Sequence, residues 1–301
     1  MMKHRFLKML FTVFSAGLAI ILIAKFSSLA YIDKALDFNL PKDKNVLVLG
    51  SSFGEDAIND SILKNWSNKC HSADMMFCTY VLLNRFLEKN NVDTVLVQLD
   101  EFGIGEDAYI STSYLLYESS RMALAGEDVV KDLMSVDAKS VLSFYLLNDL
   151  FTLSQKPVIG GYENWHHQGL TSELKVMDAE IKKTGKRKLP KFPLSCYSLH
   201  DKYLAKIIEL CKQKGVQLVL VNYPKYKRGK YYDRSAVWDY YTTLDNSVKI
   251  AEYENFEFPD TSYYANSGHL NYRGAEYFSS ALRREGLKLQ SPKSWRATRH
   301  D

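Results

Sequence analysis

The chain has 301 residues, 46% of them hydrophobic and 25% charged, with a formal net charge of +4. That balance excludes an intrinsically disordered or collagen-like chain. The mild positive charge gives no basis for nucleic-acid binding, and no nucleic acid is expected as a partner. Setting aside an apolar N-terminal segment leaves roughly 270 residues, enough for one large α/β domain with a buried core.

From Met9 to Ala24 the chain carries no charge and is rich in Leu, Ile, Phe and Val, with Lys3, Arg5 and Lys8 before it and Lys25 after it. Residues 1–31 therefore read as a cytoplasmic stub and one transmembrane helix, with Lys25 snorkelling to the interface. The basic start places the N-terminus in the cytoplasm and the bulk of the chain outside a bacterial cytoplasmic membrane. A cleavable signal peptide ending near Ser28-Leu29-Ala30 is the competing reading.

Residues 32–44 read as a linker, with Pro41 near its end. The run from Asn45 to Gly50 is short, apolar and closed by glycine, as a buried parallel strand would be. Apolar spacing predicts a helix over 74–90, a strand over 92–99, a helix over 200–214 stopped by Gly215, and a strand over 216–221. Helices are expected over 235–252 and 273–285, and 291–301 reads as a polar tail. Strands alternating with helices imply a parallel sheet covered on both faces, here spanning 45–290.

Between about 105 and 195 the alternation breaks, as expected of a helical insertion that caps the sheet. Helical spacing runs over 112–125, 128–135 and 137–153, followed by a Gly-, Trp- and His-containing loop over 157–170. Lys182, Lys183, Lys186, Arg187, Lys188 and Lys191 form a basic run that reads as an exposed linker. Trp165-His166-His167 lacks the i, i+4 spacing of a helical zinc pair. The four cysteines, Cys70, Cys78, Cys196 and Cys211, include no CxxC pair and are expected as buried thiols. No metal or cofactor is implied.

Two segments carry chemistry. Gly50-Ser51-Ser52-Phe53-Gly54 follows the first strand directly, and ligands bind at the carboxyl ends of strands in open α/β sheets. A serine at that turn lies near backbone N–H groups that can stabilise an oxyanion. The other is Asn266-Ser267-Gly268-His269-Leu270-Asn271, just ahead of a helix late in the chain. A neutral imidazole there, returned to the end of the first strand, would activate the serine hydroxyl. The loop Tyr223 to Tyr232 should border the same cleft, where aromatics and cations could meet an anionic glycan.

Together these segments resemble the SGNH/GDSL hydrolase superfamily, in particular its membrane-anchored bacterial branch of DltD-like envelope acyl-transfer proteins. Gly50-Ser51-Ser52 matches the Gly-Ser-Ser form of the first motif. His269-Leu270-Asn271 with Gly274-Ala275 matches the last. The resemblance covers about 45–100 and 198–285. It implies a three-layer flavodoxin-like fold, ester chemistry, Ser52 as nucleophile and His269 as base. The family's aspartate three residues before the histidine is Asn266 here, and Asp260 is the other candidate to orient the ring. Asp100-Glu101-Phe102-Gly103 stands where further oxyanion donors would be expected, and it offers carboxylates instead.

The resulting expectation is a serine esterase or O-acyltransferase acting on an envelope polysaccharide, with a membrane acyltransferase as a further partner. The alternative is a binding or assembly protein of envelope glycan synthesis that keeps the fold without the chemistry. A nucleotide or flavin binder ranks last, because the first loop has neither GxGxxG nor a P-loop lysine.

Overall fold

The computed structural model describes residues 36–99, 115, 119–152, 198–226, 235–266 and 268–299, and at the N-terminus residues 5–6, 8–17, 19, 23 and 27. These fall into two compact units, residues 1–37 with 109–158 and residues 38–108 with 159–301.

The larger unit is built on a six-stranded sheet. Its elements in chain order are β1 (Val46–Leu49), α1 (Ser52–Ala57), β2 (Trp66–Asn68), α2 (Met76–Lys89) and β3 (Thr94–Gln98). In the other unit, α3 (Ser119–Leu124) and α4 (Glu127–Thr152) follow. The larger unit resumes with α5 (Ser198–Lys214), β4 (Gln217–Asn222), α6 (Ser235–Thr242), β5 (Lys249–Glu252), a 3₁₀ turn (Thr261–Tyr263), α7 (Tyr272–Glu285), β6 (Leu289–Gln290) and α8 (Pro292–Arg299). The sheet order is β2-β1-β3-β4-β5-β6. The first five strands pair in parallel, in the 2-1-3-4-5 order of flavodoxin-like folds. The expected all-parallel sheet is thus mixed, because β6 pairs antiparallel to β5 through Ile250 with Gln290 and Ala251 with Leu289.

The continuous apolar strands of the sequence are buried on both faces, as a parallel sheet requires. Val46, Val48, Leu96, Val219, Val221 and Ala251 share a core cluster with Ala57 and Ile58 from α1 and its end and with Phe278 and Leu282 of α7. The alternate residues Leu47, Leu49, Val95, Val97, Leu218, Leu220 and Ile250 are also buried, and α5 packs on α2 and against β4. Such two-sided burial, at about 1.5–3 kcal/mol per large apolar side chain, is what holds the strand ends in fixed places.

Two stretches differ from the sequence expectation. The helix expected over 235–252 stops at Thr242, and Lys249–Glu252 is a strand paired to β4. Asp245 breaks the helix: its side chain accepts from Ser247 N at 2.7 Å and its carbonyl from Val248 N at 3.0 Å, a local turn that competes with helix. The stretch read as a polar tail contains α8, whose Trp295 is fully buried and donates Nε1–H to Glu252 Oε2 at 3.0 Å.

In the smaller unit α4 is interrupted at Asp137, with φ −145° and ψ 83°, at the break expected between residues 135 and 137. The Asp137 carboxylate accepts from Ser140 N at 3.0 Å and so caps the second half. Among the described residues no helix is long and apolar enough to cross a membrane. Residues 8–17 are helical, and Phe11 and Phe14 there are 73% and 71% exposed. Cys70, Cys78 and Cys211 are buried thiols, as expected. Cys196, Asp100–Gly103, the 157–170 loop with Trp165, His166 and His167, the basic run over 182–191, and 227–232 lie outside the described residues.

Candidate active site

β1 ends in a turn that only glycine makes easily. Gly50 has φ +138°, and a Cβ there would come within 2.5 Å of Gln98 Cβ. The turn delivers Ser51 as N-cap and Ser52 as the first residue of α1. It is pinned by Gln98 at the end of β3, whose Oε1 accepts from Ser51 N at 3.1 Å and Gly54 N at 3.3 Å while Nε2 donates to Ser51 Oγ at 2.7 Å. At the other end of α1, Asn68 of β2 donates Nδ2–H to the carbonyls of Gly54, Glu55 and Ile58 at 3.1, 3.3 and 2.8 Å. These buried amides satisfy backbone groups that a six-residue helix cannot satisfy itself.

The second segment is held by its neighbours in sequence. Leu270 is buried in the core cluster, and Tyr264 and Leu270 form an antiparallel bridge. Asn271 caps α7 by accepting from Gly274 N at 3.1 Å, and its Nδ2 donates to Ser262 O at 2.6 Å. This anchoring of Leu270 and Asn271 fixes the backbone that follows His269. It leaves His269 at the tip of a fixed hairpin.

The two segments meet. Ser52 Oγ lies 2.8 Å from His269 Nε2, although the residues are 217 apart in sequence. Asn266 Oδ1 lies 2.9 Å from His269 Nδ1. The same Oδ1 accepts from Gly268 N at 2.9 Å and His269 N at 3.0 Å. Those two backbone donors fix which end of the Asn266 amide faces inward, because a turned amide would set its own N–H groups against them. An oxygen facing Nδ1 requires that Nδ1 carry the ring proton, so Nε2 presents its lone pair to the serine hydroxyl. The tautomer is therefore the one a base needs. Asp260, the other candidate for this position, is not involved: its Oδ1 accepts from Ser262 N at 2.7 Å and caps the 3₁₀ turn.

Burial, and after it the Lys225 ammonium, pushes the His269 pKa below its ordinary value, so the imidazole is neutral at pH 7. The Phe53 ring stacks on the imidazole with centroids 4.9 Å apart and planes 10° from parallel. Lys225 Nζ lies 4.6 Å from the Phe53 centroid. Of the loop expected to offer aromatics to a glycan, Tyr223 and Tyr226 are instead buried in the core cluster.

Comparison with known proteins adds little to this geometry. A family profile without a functional description matches residues 171–289. No curated protein matches the chain. Among solved structures, one described as a candidate platelet activating factor from Streptococcus pneumonia is similar over 91% of this chain and 97% of its own, with 11% identity and a TM-score of 0.40.

Gln98 is the site residue that the sequence reading did not name, whereas Phe53 and Lys225 lie in segments it did name but were given no role at the histidine there. A polar Gln98 closing an otherwise apolar strand was the available signal, since a buried polar side chain at a strand's carboxyl end needs a partner there.

Proposed function

We propose that this chain is an SGNH-type serine esterase or O-acyltransferase, held at a bacterial membrane by its N-terminal segment and acting on an envelope polysaccharide or a related acceptor. The observation that carries the chemistry is the Ser52–His269 contact of 2.8 Å with the ring tautomer set by Asn266. His269 Nε2 takes the Ser52 proton as Oγ attacks the carbonyl of an acyl donor. The tetrahedral adduct then collapses, the bond to the leaving oxygen breaks, and Nε2–H returns its proton to that oxygen. The acceptor hydroxyl, or water, repeats the sequence on the ester at Ser52 and releases the acyl group. Asn266 orients the ring and is a positioning residue in this scheme. The exposed apolar side chains of Phe11, Phe14 and Ile23 support insertion of the N-terminal segment into lipid. A polysaccharide acceptor follows from placement outside the cytoplasm and from the family resemblance.

A second reading, a binding or assembly protein on the same fold, is favoured by one specific observation. Gly54 N–H is committed to Ser51 O and Gln98 Oε1, and one of the two Gln98 Nε2–H groups to Ser51 Oγ, so the Gly54 N–H does not serve as an oxyanion donor. A fluorophosphonate probe and p-nitrophenyl acetate turnover separate the two. Labelling of wild type that disappears in Ser52→Ala supports the enzyme. Equal behaviour of both chains removes Ser52 as nucleophile.

A further inference from the structure

The imidazole of His269 is held at both nitrogens, by Ser52 at Nε2 and Asn266 at Nδ1. The N–H bond and the lone pair of an imidazole lie in the ring plane, so these two contacts do little to resist a tilt about the line joining the nitrogens. The stacked Phe53 ring does resist it, at a centroid separation of 4.9 Å. Phe53 follows Ser52 directly, so the nucleophile's own helix places the ring. Gly268 makes room for it: a Cβ there would come within 2.9 Å of Phe53 Cε1.

Proton transfer from Ser52 turns the imidazole into a cation. A carboxylate at Nδ1 would offset that charge, and the Asn266 amide carries none. An aromatic face carries a negative quadrupole that attracts a cation within about 6 Å of its centroid. Among the described residues, the groups facing His269 are Ser52 and Phe53 from α1, Asn266 and Gly268 from its own hairpin, and the Lys225 ammonium from the loop after β4. Of these only Lys225 is charged, and it opposes the imidazolium. Asp260, earlier in the chain, is engaged with Ser262 N.

We propose that Phe53 is a positioning residue whose ring face fixes the plane of His269 and carries part of the charge that the imidazole gains on taking the Ser52 proton. The role rests on the reading of Ser52 and His269 as nucleophile and base.

The test is a pH titration of the full chain in detergent micelles, with ¹³C label at Cε1 of its seven histidines. The His269 signal is assigned by its loss in His269→Gln. Phe53→Leu keeps an apolar cover over the imidazole and removes the quadrupole, so the His269 pKa is expected to fall by about half a pH unit. Phe53→Trp has the stronger quadrupole and is expected to raise it. In turnover, Phe53→Leu lowers kcat about threefold with KM unchanged, and Phe53→Trp restores it. Size alone would give the opposite order, because a larger cover desolvates the imidazole more and lowers its pKa. A Phe53→Leu titration that coincides with wild type or moves upward overturns the proposal. So does a Phe53→Trp titration that moves downward, which keeps the test alive if the Leu chain does not fold. Fluorophosphonate labelling of Ser52 with no ordering of the titrations sinks this inference alone. The expected ordering in a chain that neither labels nor turns over ester supports the ring coupling and removes the enzymatic reading.

Discussion

Replacing Asn266 with aspartate adds a negative charge 2.9 Å from His269 Nδ1 without removing an acceptor, since a carboxylate oxygen can still take the Gly268 and His269 backbone N–H groups. At that separation a unit pair interacts by about 1.4 kcal/mol in the dielectric of water and about 6 kcal/mol at an effective constant of 20. Asn266 is exposed, so the lower figure governs. It corresponds to about one pH unit at the imidazole. In the native chain burial and Lys225 lower the His269 pKa, so the acid limb of kcat/KM falls below the ordinary histidine value of about 6.5. Asn266→Asp should move that limb upward by about one pH unit, because the new charge favours the imidazolium. The assay is p-nitrophenyl acetate hydrolysis from pH 4.5 to 8.5, with fluorophosphonate labelling as a second readout. A limb that stays in place would show that residue 266 is not the group acting on Nδ1. Asn266→Leu completes the comparison. It frees the ring to carry its proton on Nε2, which then cannot accept from Ser52, and kcat should drop by about a hundredfold or more, toward the roughly 10⁴ of a wrong tautomer.

Gln98→Leu leaves the buried Ser51 N–H and hydroxyl without their partner, at about 1–3 kcal/mol for each unsatisfied group, and should lower the urea midpoint and the Ser52 labelling rate together. Labelling unchanged despite lost stability would separate Gln98 from the nucleophile turn. Glu55 is fully buried, and burial first of all pushes its pKa up to about 8, so it is protonated at neutral pH. The folded chain holds that proton where the unfolded chain has lost it, so stability from this group is full below about pH 4.5 and falls as pH rises through about 8. Glu55→Gln should therefore gain stability over wild type at pH 9 relative to pH 6, measured as urea midpoints. An equal difference at the two pH values would refute the assignment.

The strongest local patterns were legible without coordinates. The apolar runs ending at Gly50 and Leu99 and the amphipathic repeats over α2, α5 and α7 declared themselves because burial on one or two faces imposes a period on the residues. The same holds for the two chemical segments, since a serine after a strand's last glycine and a histidine before a capped helix are local arrangements. The short strands were not legible. Trp66–Asn68 is partly polar because Asn68 serves α1, and Lys249–Glu252 is a strand only because β4 lies beside it. Trp295 and β6 close the far edge through contacts with β5 that leave no local trace.

The site divides in the same way. Sequence by itself supplied the nucleophile and base candidates, and left Asn266, with Asp260 as the alternative, for Nδ1. Only the fold could choose, because two backbone N–H groups in the hairpin turn the Asn266 oxygen toward the ring while Asp260 is consumed by a cap. The Phe53 stack and the Gln98 brace were likewise decided in three dimensions. Residues far apart in the chain meet there through packing, and packing has no period to read.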